Sequence, residues 1–144
     1  MEIESILKVK GRQVETIEPG ASVVIAVHKL ATMGIGALVV SEDGERVDGM
    51  LAERNLVRGL AKHGPRLLDM RVHEIMSKGV PVCSSHDNIT GAMAEMTQSR
   101  NRHLPVVDEG KLCGLISVGD VVKHRLDEIE LEARVLRDAY NAGR

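Results

Sequence analysis

The feature that most constrains this chain is that it is written twice. Val14-Glu15-Thr16-Ile17 returns 66 positions on as Val80-Pro81-Val82-Cys83, and Ser22-Val23 returns 66 on as Asn88-Ile89. Val39-Val40-Ser41 precedes Val106-Val107-Asp108 by 67, and Gly49-Met50-Leu51 precedes Gly114-Leu115-Ile116 by 65. The leading segments correspond too, with Ile3 to Leu7 standing 69 before Val72 to Met76. A steady offset of this size means two tandem copies of one supersecondary unit, and a unit that short cannot bury its apolar faces alone. The 144 residues hold that pair and little else.

Within each copy the hydrophobic period places the elements. Ser22 and Asn88 are N-cap residues, and Val23, Ala26, Val27, Leu30 and then Ile89, Ala92, Met93, Met96 follow at i, i+3, i+4, i+7, which predicts one amphipathic helix per copy. Ala37-Leu38-Val39-Val40 and Leu104-Pro105-Val106-Val107 read as short strands. Each runs into a turn, Glu42-Asp43-Gly44 or Asp108-Glu109-Gly110, and a return strand ending at Gly49-Met50-Leu51 or Leu112 to Ile116. A second helix starts near Glu53 and near Val118. The fold class is therefore α/β (α+β): two β-α-β-β-α repeats packed sheet to sheet about a pseudo-twofold axis. The expected boundaries are residues 1–62 and 66–126, joined by Lys62-His63-Gly64-Pro65, with residues 127–144 as a C-terminal helical extension. Val122, Leu126, Ile129, Ala133, Leu136 and Tyr140 step by 4, 3, 4, 3 and 4, a heptad seam on an otherwise charged helix. Such a seam wants a partner, so a homodimer or a larger symmetric assembly is expected, packing within the chain being the alternative.

Composition removes several function classes. With 43% hydrophobic and 28% charged residues the chain is an ordinary globular one. It has no Phe or Trp and one Tyr, so its core is aliphatic and filled by methionine, and stacking platforms for single-stranded nucleic acid are lacking. Nineteen Lys plus Arg against 21 Asp plus Glu give a net charge of -2, which supplies no field for nucleic acid or an anionic membrane. No apolar run approaches the ~18 residues of a membrane span, and a cytoplasmic protein is expected. Cys83 and Cys113 sit in apolar runs and read as buried thiols, and the six His show no metal-ligand spacing. Catalytic motifs are missing, so no enzyme is expected.

The chemistry concentrates in two stretches. Ser117 to Asp120 opens a helix straight from the strand Gly114-Leu115-Ile116, so free N–H groups and the positive helix end face one spot and favour an anion. Ser117 can donate to a phosphate oxygen, and Asp120, an acceptor-only carboxylate one turn on, suits both hydroxyls of a ribose. Plain N-capping by Ser117 is the alternative. Arg100-Asn101-Arg102-His103 sets two guanidiniums and an imidazole before a buried strand, able to clamp a phosphate or merely to end a helix in solvent. Arg54 is a weaker candidate of the same kind. In the first copy Ala52 and Asn55 replace Ser117 and Asp120, and Gly34-Ile35-Gly36-Ala37 replaces the basic stretch. A weak second site at Asn55, Gly36 and Ala37 is the expectation, its glycines letting a ligand approach the backbone.

The segments Arg102-His103-Leu104-Pro105-Val106-Val107-Asp108, Gly114 to Val122 and Val72-His73-Glu74-Ile75-Met76 resemble a tandem pair of CBS domains, the Bateman module, over about Ile3 to Leu126. The flanks resemble small stand-alone two-CBS proteins. The resemblance implies a regulatory module that binds an adenine nucleotide, AMP, ADP, ATP or NAD, in the cleft between the domains. It puts Ser117 and Asp120 on phosphate and ribose and Arg102 and His103 on phosphate. Val80, Pro81, Val82 and Cys83 would form an adenine wall, unless they are simply core. Binding would alter the dimer or an unidentified regulated protein partner. A nucleotide-free interaction scaffold is the first alternative, and a small nucleotide-acting enzyme using Asp120 and His103 is the second.

Overall fold

The computed structural model describes residues 1–143, and Arg144, the last residue of the expected extension, lies outside them. The first half runs α1 (Ile3–Lys10), β1 (Thr16–Ile17), α2 (Val23–Met33), β2 (Ala37–Val40), β3 (Gly49–Ala52) and α3 (Glu53–His63). The second runs α4 (Val72–Ile75), α5 (Ile89–Ser99), β4 (His103–Asp108), β5 (Lys111–Ser117) and α6 (Val118–Ala142). The helix starts follow from side chains that satisfy orphan amides. Ser22 Oγ accepts from the Ile25 N–H at 3.2 Å, and Asn88 Oδ1 accepts from the Thr90 N–H at 2.7 Å.

The first sheet has the order β1-β2-β3, with β1 parallel to β2 and β3 antiparallel to it. The second is the antiparallel pair β4-β5, bulged between Val106 and Val107. One expectation is corrected. The run Val80 to Cys83 is not a strand equal to β1: it contributes a single parallel bridge, Cys83 to Val106. Pro81 has no N–H to give a ladder. The joining residues Lys62 to Pro65 are helical, as α3 continues directly into a 3-10 helix, Gly64–Asp69. Pro65 stands in its first turn, where a missing N–H costs nothing.

The two sheets face each other. Ala37, Val39 and Met50 of the first meet Leu112 and Leu115 of the second, and the Leu112 N–H donates to the Glu45 carbonyl at 2.7 Å. Each sheet's outer face is covered by its helices, Leu38, Val40 and Leu51 by α2, and Leu104, Val106 and Ile116 by α5 and Val121 of α6.

The leading helices are exchanged between the halves. Ile3, Ile6 and Leu7 of α1 are buried in the second half's core, while Val72 and Ile75 of α4 belong to the first half's. Backbone bonds make the exchange specific: the Ile3 and Glu4 N–H groups donate to the Asp87 and Ser85 carbonyls at 2.9 and 2.8 Å, and the Val72 N–H donates to Ala21 at 2.9 Å. The receiving loop is itself pinned, since Asp108 accepts from Ser84 Oγ, the Ser85 N–H and Ser85 Oγ at 2.8, 3.0 and 2.5 Å. Those bonds hold its carboxyl well below the usual carboxylate range. Gly114 lets α1 come close, because a Cβ there would lie 2.7 Å from Leu7 Cδ2. Each fully buried Leu or Ile side chain contributes about 1.5–3 kcal/mol, so the exchange binds the halves strongly.

Candidate functional site

A cavity of about 920 Å³ opens between the halves. Gly36, Ala52, Glu53, Arg54 and Asn55 form one wall, and Thr97, Arg100, Asn101, Arg102 and His103 the other. Met50, Met93 and Met96 supply its apolar surface.

Helix ends build the cationic wall. At the end of α5 the chain turns at Arg100, whose φ of 58° is left-handed, in the place where the first half has Gly34 at 63°. A side chain in this conformation costs roughly 1–2 kcal/mol against glycine, so the arginine is held there at some expense. The Arg54 guanidinium fixes the turn from across the cavity, donating to the Arg100 carbonyl at 2.6 Å and to Asn101 Oδ1. Arg54 is therefore engaged, while the Arg100 and Arg102 guanidiniums have no partner among the described residues. Burial, reinforced by the Lys10 ammonium, pushes the His103 imidazole below its ordinary 6.5 against the pull of Asp120 and Glu53. Asn55 is buried and fully used: Oδ1 accepts from the Ala52 N–H at 2.9 Å, and Nδ2 donates to the Ile75 carbonyl and Ser77 Oγ, both at 3.0 Å.

Ser117 and Asp120 stand apart from this wall. Ser117 lies across the β4–β5 ladder from His103, but only Val118 of that helix start reaches the cavity. The pair forms a capping box: Ser117 Oγ accepts from the Asp120 N–H at 3.1 Å, and Asp120 Oδ2 accepts from the Ser117 N–H at 2.8 Å. The same Oδ2 accepts from Lys10 Nζ at 2.6 Å, and Lys10 also donates to the Leu115 carbonyl at 2.6 Å. Burial pushes the Asp120 carboxyl up, but Lys10 and the Ser117 N–H together outweigh it and hold it below its usual value. The carboxylate expected to take a ribose thus carries the chain's own cation.

The remaining sequence candidates fall elsewhere. Cys83 belongs to the second half's core, with its thiol donating to the Pro105 carbonyl at 3.6 Å and pushed up to about 12 by burial. Pro81, Val82 and Ala37 do not line the cavity, Val82 being exposed and Ala37 buried between the sheets. Sequence reasoning missed Glu53, Thr97 and Ser77, and gave Asn101 no role within its stretch. Glu53 was detectable, because it follows Ala52 at the first copy's version of the helix start. Met93 and Met96 were read as core fillers, and they pack there as well as lining the cavity.

A duplicated α/β unit with a cationic cavity between its copies has the form of a two-unit ligand-binding module. The CBS domain family matches the chain at residues 8–62 and 72–127, and the chain belongs to that family. It is similar to the crystal structure of a CBS-domain containing protein from Agrobacterium tumefaciens, 40% identical, covering 87% of this chain and 99% of that one with a TM-score of 0.83. It is also similar to the mitochondrial CBS domain-containing protein CBSX3 of Arabidopsis thaliana, 29% identical over 98% of this chain and 72% of that protein. The crystal structure of CBSX2 in complex with AMP shares the fold at 24% identity and a TM-score of 0.69, covering 79% of this chain and 88% of that one. Among the described residues no helix is long and apolar enough to cross a membrane.

Proposed function

We propose that the protein is a sensor of adenine nucleotides, binding AMP, or ADP, ATP or NAD in its place, in the cavity between its halves. One observation carries this reading: two unpaired guanidiniums, an imidazole, a single carboxylate and a methionine-lined surface converge on one space of about 920 Å³. That volume lies within the range of about 300–1,000 Å³ typical of small-ligand pockets. Arg100 and Arg102 take the phosphate as planar forks, and His103 adds a donor when it gains a proton. Glu53, an acceptor only, takes sugar hydroxyls. Met50, Met93 and Met96 receive the base in a protein without Phe or Trp. Ser117 and Asp120 form a second pole that opens when Lys10 leaves. The AMP complex of a protein of the same fold supports the ligand class.

Binding rather than bond-breaking is the task this reading gives the cavity. Occupancy acts on the geometry of a homodimer formed through α6, or on a regulated protein partner. Two free thiols suit a reducing, cytoplasmic setting.

Calorimetric titration with AMP, ADP, ATP and NAD tests the reading. At least one nucleotide should bind, and Arg102→Ala should weaken it tenfold or more, about 1.4 kcal/mol. No heat with any of the four leaves the scaffold alternative. Binding lost with Asp120→Ala but kept with Arg102→Ala moves the site to the Ser117 pole.

A further inference from the structure

The helix α6 is 25 residues long, and Val121 at its root is its one buried residue among those described. Val121 is buried, whereas every described residue from Ile129 to Gly143 is exposed. Helical stability in proteins comes mostly from packing an amphipathic face, yet this helix shows Leu126 at 60%, Ile129 at 47% and Leu136 at 71% exposure. The seam also runs into a groove of about 670 Å³ at the root, lined by Met1, Ile89 and Met93 together with Val122 and Leu126. One surface thus continues from the body onto the helix. Met93 belongs to this groove and to the ligand cavity alike.

We infer that α6 pairs with α6 of a second copy as a parallel two-stranded coiled coil. The inference rests on the homodimer reading above and adds its orientation, which the charges fix. With Leu126, Ala133 and Tyr140 at a and Val122, Ile129 and Leu136 at d, the g positions are Arg125, Glu132 and Ala139 and the e positions Lys123, Glu130 and Arg137. In a parallel pair each g faces the e five residues on in the other strand. Arg125 then meets Glu130 of the second copy and Glu132 meets Arg137, and symmetry doubles both contacts. An antiparallel pair with the same layers sets Glu132 on Glu132, Glu130 on Glu130 and Lys123 on Arg137, all of like charge. The Arg125–Glu128 contact of the single chain, 2.8 Å long and exposed, is weak and readily exchanged. Leu131 and Val135 stay on the outer side of the pair.

The full-length chain carrying Leu136→Cys tests the orientation. Light scattering should give a dimeric mass for the unmodified chain, and mild oxidation should crosslink the variant to itself, with the unmodified chain as control. A mixture of Leu126→Cys and Leu136→Cys chains should give no mixed crosslink. A dimeric mass with mixed crosslinks, or with none at Leu136, overturns the parallel pair and leaves the homodimer standing. A monomeric mass at all concentrations overturns the homodimer reading itself.

Discussion

At matching junctions the two halves reach the same end by different chemistry. In the first, Asn55 accepts from the Ala52 N–H and donates to the Ile75 carbonyl, so one neutral amide satisfies a donor and an acceptor at once. In the second, Asp120 accepts from the Ser117 N–H but has no proton to give, and Lys10 arrives from α1 to donate to the Leu115 carbonyl and to the carboxylate. An amide can do alone what a carboxylate does only with a cation. The amide can therefore be buried, at 7% exposure, while the ion pair keeps contact with water at 36% and 23%.

The largest expected effect concerns what welds the halves together. Leu7→Ala, in the first half's leader, should cost about 2–5 kcal/mol and lower the stability of the second half's core. Urea unfolding followed by two probes, one in each half, should still show a single transition. Separate transitions would mean that the halves are more independent than their exchanged helices imply. Next comes the contrast of junctions. Asn55→Asp strands the Ile75 carbonyl and buries a charge, with an expected loss of about 3 kcal/mol, whereas Asp120→Asn should lose about 1 kcal/mol or less. Equal losses in urea titrations would break the comparison.

A smaller effect separates the two helix ends that differ by one residue. Arg100→Gly should raise stability by about 1 kcal/mol by relieving the left-handed strain, and it should weaken AMP binding at the same time. A variant that is more stable and binds as well as before would free Arg100 from the ligand. The smallest effect is on pH. Because His103 holds its proton less well folded than unfolded, stability should begin to fall as pH drops below about 6.5, where the unfolded chain binds the proton first. A phosphate beside it reverses that preference, so AMP binding near pH 6 should take up more protons in the unmodified protein than in His103→Gln, as calorimetry in buffers of different ionisation heat would show.

Much of this was legible in the sequence. The repeat, the caps at Ser22 and Asn88 and both hairpins depend on local spacing, and local spacing survives in the fold. The exchange of leaders was not legible, since Ile3 to Leu7 and Val72 to Met76 show the same apolar pattern whichever core receives them. Lys10 was invisible for that reason: its meeting with Asp120, 110 positions away, exists only because α1 crosses over. The repeat also implied a strand at Val80 to Cys83, where Pro81 withholds a ladder donor. At the site, the basic stretch and the helix-start motif looked like parts of one grip. The bend at Arg100 and the reach of Lys10 put them in different places, and neither is written in residue spacing.

The crossing of α1 also sets the order in which the molecule can be completed during synthesis. Ile3, Ile6 and Leu7 leave the ribosome more than a hundred residues ahead of Ile116 and Val121, two of the side chains that shelter them. This helix must wait for the second repeat to find its seat, and a nascent chain stopped after the first repeat would carry that greasy face uncovered.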